Sequence, residues 1–109
     1  MRLPAWAKTD PAQVLAETVT ENADGERVRA WTPSGDTVLG KRYPVSSKSL
    51  ERAQLLGVQV QWELHLDPYP LTPGRQRLLV RGTRHHIRDV RQYDGFQVLL
   101  LEEVTRESG

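Results

Sequence analysis

Between Ser46 and Val104 the chain presents one short helix signal, one alternating strand, a proline-rich loop and three further strand signals parted by glycine turns. That order predicts a mainly β fold: a small β-barrel of about six to seven antiparallel strands carrying one short α-helix and extended loops. The helix is placed at Ser47–Leu56, where Ser46 and Ser47 offer capping oxygens and Gly57 can take the left-handed conformation that ends a helix. Leu50, Ala53 and Leu56 fall on one side of it and Leu55 lies off that stripe. Val58 to Leu66 (VQVQWELHL) alternates apolar and polar residues and predicts a strand with one buried and one wet face. Its tryptophan, Trp62, is assigned to the core.

Asp67 to Gly74 (DPYPLTPG) contains three prolines, which fix φ and remove backbone donors, so it reads as a stiff crossing loop. Gln76–Val80 and Thr83–Tyr93 follow as strands, and Asp94-Gly95 turns the second into Phe96–Val104. Val98 to Leu101 is apolar on both faces of its strand, which requires cover on both: the barrel interior on one side, and the helix or a partner subunit on the other. Earlier in the chain, Val14–Asn22 and Glu26–Thr32 read as a hairpin around Asp24-Gly25, Pro33-Ser34-Gly35-Asp36 as a second turn, and Thr37–Tyr43 as a short strand bent or bulged at Gly40. The organisation predicted is an N-terminal arm over 1–13 that includes Trp6, one domain over 14–104, and a frayed tail over 105–109.

At 109 residues and 38% hydrophobic content the chain supports one core. With 27% charged residues, a mean hydropathy of −0.57 and no long apolar run, no membrane insertion is expected. MRLPAWAKTD lacks the apolar stretch of a secretory signal, so the mature chain is expected to start near Met1. The absence of cysteine rules out disulfides and thiolate metal sites. A formal charge of +1 disfavours nucleic-acid binding driven by bulk charge, although charge gathered on one face would still act.

No catalytic constellation is present. Adjacent residues on a strand point to opposite faces, so His85 and His86 cannot chelate one ion together, and His65 would have to approach from another strand. Gly35 and Gly40 lack the Lys-Ser/Thr of a phosphate-binding loop, and capping accounts for the serines of SSKS. No cofactor and no metal are predicted, and no enzymatic activity. Arg81, Arg84, Arg88 and Arg91 form the densest basic group. They suit a phosphate-facing strip, a subunit or partner interface, or a solvated edge that discourages aggregation; Asp89 and Asp94 among them favour the last. Trp6, in a segment without periodicity, reads as a docking contact.

The succession of a hairpin, TVLGKRYPVSSKSLERAQLLGV, VQVQWELHL, a proline loop and RLLVRGTRHHIRDVRQYDGFQVLLLEEV resembles the head-tail joining (head-closure or stopper) proteins of tailed bacteriophages. The resemblance spans Val14 to Val104, and the arm before it is a departure from the family pattern. It implies a structural virion protein, assembled in the host cytoplasm, that forms a homo-oligomeric, twelvefold ring between the portal or its adaptor above and tail proteins below. Packaged double-stranded DNA would pass through the lumen. By the same resemblance, Arg42 to Leu56 would project toward the channel and help retain DNA, with Arg42, Tyr43, Pro44, Ser46, Ser47, Lys48 and Leu55 as the stopper segment. A neighbouring adaptor or tail-terminator of the same connector has the same texture. The competing reading from another class is a small nucleic-acid-binding barrel of OB or SH3-like type, using Arg81, Arg84, Arg88 and Tyr93.

Overall fold

The computed structural model describes residue 6 and residues 8–105. Six strands and one helix follow in the order β1 (Asp10–Glu21), β2 (Arg27–Pro44), α1 (Ser47–Leu56), β3 (Trp62–Leu66), β4 (Gln76–Val80), β5 (Thr83–Tyr93) and β6 (Phe96–Glu103). All neighbours are antiparallel and the sheet closes in the order β1-β2-β3-β6-β5-β4, the mainly β barrel with one helix that the order of signals predicts. Closure depends on β1, whose Ala12–Ala16 segment bonds β4 on one edge while the strand bonds β2 on the other.

Alternation along each strand sends Ala12, Val14, Val38, Leu64, Leu66, Leu78, Val80, Ile87, Leu99 and Leu101 into one interior cluster. The two-faced strand β6 is covered as its composition requires: Leu99 and Leu101 enter the barrel, while Leu100 packs outside against Ala53 of α1 and Val60. The helix therefore covers Leu100 within a single protomer. Its caps are those the sequence indicates, with Ser46 Oγ accepting from the Ser49 amide at 3.2 Å and Gly57 left-handed at φ 71°.

Four sequence expectations change. The helix buries Ser49 and Ala53 and leaves Leu50 and Leu56 exposed, because small side chains let it approach Leu100 closely. Pro33 to Asp36 makes no turn. Leu15 faces Pro33 and Gln13 faces Thr37, so Ser34, Gly35 and Asp36 form a bulge opposite Val14 inside the 18-residue strand β2. Ser34 Oγ donates to the Val14 carbonyl at 3.2 Å and ties that bulge to β1. The chain before Val14 is not all arm: Asp10 to Gln13 already pair with Thr37 to Gly40, and Pro11 is tolerated because the β4 pairing begins only at Ala12. Last, the ladder of β3 starts at Trp62, since Val60 turns outward to the helix cluster.

The barrel is plugged at both ends. At one, the proline loop lays Tyr69 and Leu71 on the core, and buried Gln97 donates to the Tyr69 carbonyl at 2.9 Å. At the other sit Arg42, Trp62 and His85. Beyond the barrel β1 and β2 continue as a bare hairpin, exposed from Thr18 to Ala30, and the molecule is accordingly elongated, 50 × 30 × 22 Å. No helix among the described residues is long and apolar enough to cross a membrane.

Candidate functional site

Three polar or aromatic assemblies stand out from the β scaffold. The first fills the barrel mouth beside the helix. Arg42 follows Gly40 on the inward face of β2, so its guanidinium lies over the Trp62 ring at 3.8 Å and its Nη1 is 3.3 Å from His85 Nε2. Trp62 Nε1 donates to Glu103 at 2.8 Å. Asp10, 3% exposed, accepts from the Arg42 amide at 2.8 Å and from Arg81 Nε at 2.6 Å. Burial drives the His85 imidazole below its ordinary pKa, the Arg42 charge adds to that, and the Leu78 and Thr83 carbonyls and Glu103 pull the other way. A neutral imidazole against a guanidinium is what this pocket accommodates. The plug thus closes the core with polar groups.

The second is a groove on the outer surface, at the root of the projecting hairpin. It encloses about 250 Å³ between the hairpin, through Glu17, Arg29 and Trp31, and the β4–β5 wall, through Arg77, His86 and Arg88. The Arg77 guanidinium stacks on the Trp31 ring at 4.1 Å. Arg29 meets Glu17 at 2.9 Å, and Arg88 meets Glu102 of β6 at 2.6 Å. Desolvation lowers the pKa of His86, and Arg88 and Arg77 add to the effect against Glu102. Three guanidiniums thus line one concavity, those of Arg29 and Arg88 held by Glu17 and Glu102, and a competing carboxylate or phosphate would meet them there.

The third is an aromatic ladder across β2, β3, β6 and β5. Tyr43 meets His65 edge-on at 4.8 Å, His65 stacks with Phe96 at 6.4 Å, and Phe96 stacks with Tyr93 at 4.9 Å. Cations stand at its two ends: Lys41 lies 5.4 Å from the Tyr43 ring and 5.5 Å from that of Trp6, and Arg91 lies 5.7 Å from that of Tyr93.

The residues singled out from sequence are distributed among these features. Arg42 points into the barrel mouth, so its guanidinium is withdrawn from any channel surface. Tyr43 joins the ladder and Pro44 ends β2. Ser46 caps the helix, Ser47 and Lys48 are exposed in its first turn, and Leu55 is 88% exposed. The segment Arg42–Leu56 is therefore a strand end and a docked helix, held at Ser46 by Glu63, which accepts its amide at 2.6 Å. The four arginines do not form one strip: Arg81 goes to Asp10, Arg88 to Glu102 and Arg91 to Tyr93, while Arg84 and His86 share the outer side of β5. His85 lies inside and His86 outside. Trp6 is 65% exposed. Among the described residues no group of three or more His, Cys, Asp and Glu is placed to hold a metal.

Sequence reasoning missed both the groove and the ladder. The Tyr93–Phe96 pair was accessible, because the two residues flank the Asp94-Gly95 turn. The contacts of Arg77 with Trp31 and of His65 with Tyr43 depend on strand registers that no local pattern encodes.

A closed six-stranded barrel with a docked helix and a bare hairpin is the class of fold to which these surfaces belong. Among solved structures the chain is similar to the solution structure of protein SF1141 from Shigella flexneri 2a, a structural genomics target. The TM-score is 0.74 and the identity 15%, over 96% of this chain and 100% of that one, a likeness of fold. No protein-family model and no curated protein matches the chain.

Proposed function

We propose that this protein is a structural connector of a tailed bacteriophage, joining the head at its portal or adaptor to the tail and helping to close the DNA channel, without catalytic activity. The observation that carries this reading is the hairpin of β1 and β2, which runs past the barrel with Thr18 to Ala30 exposed and Val19 and Val28 at 52% and 44% exposure. A two-stranded ribbon is marginal in water without cover, so an arm of this kind calls for a neighbouring subunit or partner. Leu50, Leu55 and Leu56 on the helix add a second uncovered apolar surface, near the opposite end of β2. Two uncovered surfaces at opposite ends suit a protomer that meets more than one neighbour, and a head-to-tail contact generates a ring where its rotation closes. The barrel interior is a packed core, so in such a ring DNA would pass along the channel axis, encircled by the protomers. Retention would fall to the exposed helix, through Ser47 and Lys48, since Arg42 is turned inward and Leu55 belongs to the apolar surface.

The test is cryo-electron microscopy of the full chain expressed with the portal and adaptor of its particle. A ring on the channel axis is expected; a protein that stays monomeric and leaves the portal bare overturns the reading. The ladder from Lys41 to Arg91 favours a second reading, a nucleic-acid-binding barrel, because stacked aromatics bordered by cations suit single strands. Tight binding of short DNA by the monomer, weakening steeply with salt, would move the assignment there.

A further inference from the structure

The hairpin ends in an acidic point. Glu21, Asp24 and Glu26 lie within six residues at its tip, all exposed, with Arg27 the single cation there, paired in register with Glu21. The tip is rigidly built: Asn22 Oδ1 accepts from the amides of Asp24 at 3.0 Å and Glu26 at 2.9 Å, and Gly25 takes φ 81°. Its carboxylates are thus presented on a fixed, narrow, convex turn.

The groove at the root of the same hairpin is the complement. It is concave and carries the guanidiniums of Arg29, Arg77 and Arg88 with His86, against one lining carboxylate, Glu17, and Glu102 beside Arg88. A protomer cannot place its tip in its own groove. The strands run straight from the Glu17–Trp31 pair to the Glu21–Arg27 pair, roughly 14 Å farther out at the strand rise per residue. We propose that the acidic hairpin tip of one copy seats in the arginine groove of the next, with Asp24 and Glu26 taking the guanidinium forks now turned toward Glu17 and Glu102. This rests on the connector reading and names the contact between its subunits. Tip and groove are different surfaces, and repeated head-to-tail the contact generates a ring where its rotation closes. A nucleic-acid backbone fits the groove less well, because Glu17, Glu102 and the acidic tip would flank its phosphates.

The decisive experiment is charge reversal and exchange in the full chain, read by analytical ultracentrifugation across protein concentration and salt. Self-association of the wild type is expected to weaken with salt, and Asp24→Lys with Glu26→Lys to weaken it by at least about tenfold. Arg88→Glu is expected to do the same, and mixing it with the Asp24→Lys/Glu26→Lys chain to restore a hetero-association that neither variant shows alone. The tip variants alter only an exposed turn, so they decide the matter even where Arg88→Glu unfolds the barrel. Association unchanged by the tip reversals overturns the inference. A ring on the portal formed equally well by the reversed chain removes this contact while keeping the connector reading. A monomer at every concentration that also leaves the portal bare removes both.

Discussion

Glu63 holds the entrance of the helix to the barrel. It is 7% exposed, and it accepts the Ser46 amide just where Ser46 begins to cap α1. Burial alone would raise its pKa, but the Ser46 amide, the Ser46 and Ser49 hydroxyls and His65 outweigh that and hold the carboxyl below its ordinary 4.5. A lowered folded-state pKa means the stabilisation is complete above the unfolded value and is lost as pH falls through the folded one. Glu63→Gln is therefore expected to cost about 1.5–3 kcal/mol at neutral pH, the range for hydrogen bonds to a charged group. The gap between variant and wild type should narrow progressively below the ordinary value. Urea denaturation at neutral and acidic pH measures both.

Among the elements, β2 shows how close approach fixes a residue. A Cβ on Gly40 would come within 2.4 Å of the His65 carbonyl and 3.0 Å of Leu66 Cβ, where β2 crosses between β1 and β3. Gly40→Ala is expected to destabilise the barrel by about 1–3 kcal/mol in a thermal melt, the usual cost of overpacking. The sequence flagged this glycine as a bend, but the bulge lies at Ser34 to Asp36 and Gly40 serves close packing. That contrast marks what is legible in one dimension. The helix with both caps, the Asp94-Gly95 hairpin and the two-faced β6 were readable because each depends on residues near one another in the chain. Pro-Ser-Gly-Asp reads as a turn by the same local logic, and only its partner, the Val14 carbonyl, makes it a bulge. Arg42 likewise looked available to a channel, and only the register of β2 on β3 turns it toward Trp62 and His85. The groove was invisible for the same reason, since the β1–β4 pairing that brings its two hairpins together is long-range.

For the whole molecule, four groups that titrate on acidification act in one direction. The Asp10 and Glu63 carboxyls lie below their ordinary pKa; at Asp10 burial opposes this, and the Arg42 amide and Arg81 prevail. His85 and His86 lie below theirs chiefly through desolvation, with neighbouring guanidiniums adding to it. As pH falls past the ordinary histidine value of 6.5 the unfolded chain gains protons that the folded barrel resists, and the carboxylates follow near 4. Stability should decline in two stages on acidification, with no compensating rise from these groups. A His85→Gln/His86→Gln variant should flatten the first stage and leave the second, as followed by denaturation midpoints at stepped pH.

Closure of the sheet through β1 also sets an order of events during synthesis. The β1–β2 and β5–β6 hairpins join neighbours in sequence, but Ala12–Ala16 finds its second neighbour only in Gln76–Val80, after most of the chain has been made. Until then the first strand has one unbonded edge along an apolar stretch, and the entropy of drawing the two segments together is unpaid. The seam between β1 and β4 is thus where a nascent chain is longest exposed to wrong partners, and sealing it together with the β3–β6 seam turns a string of hairpins into a cylinder.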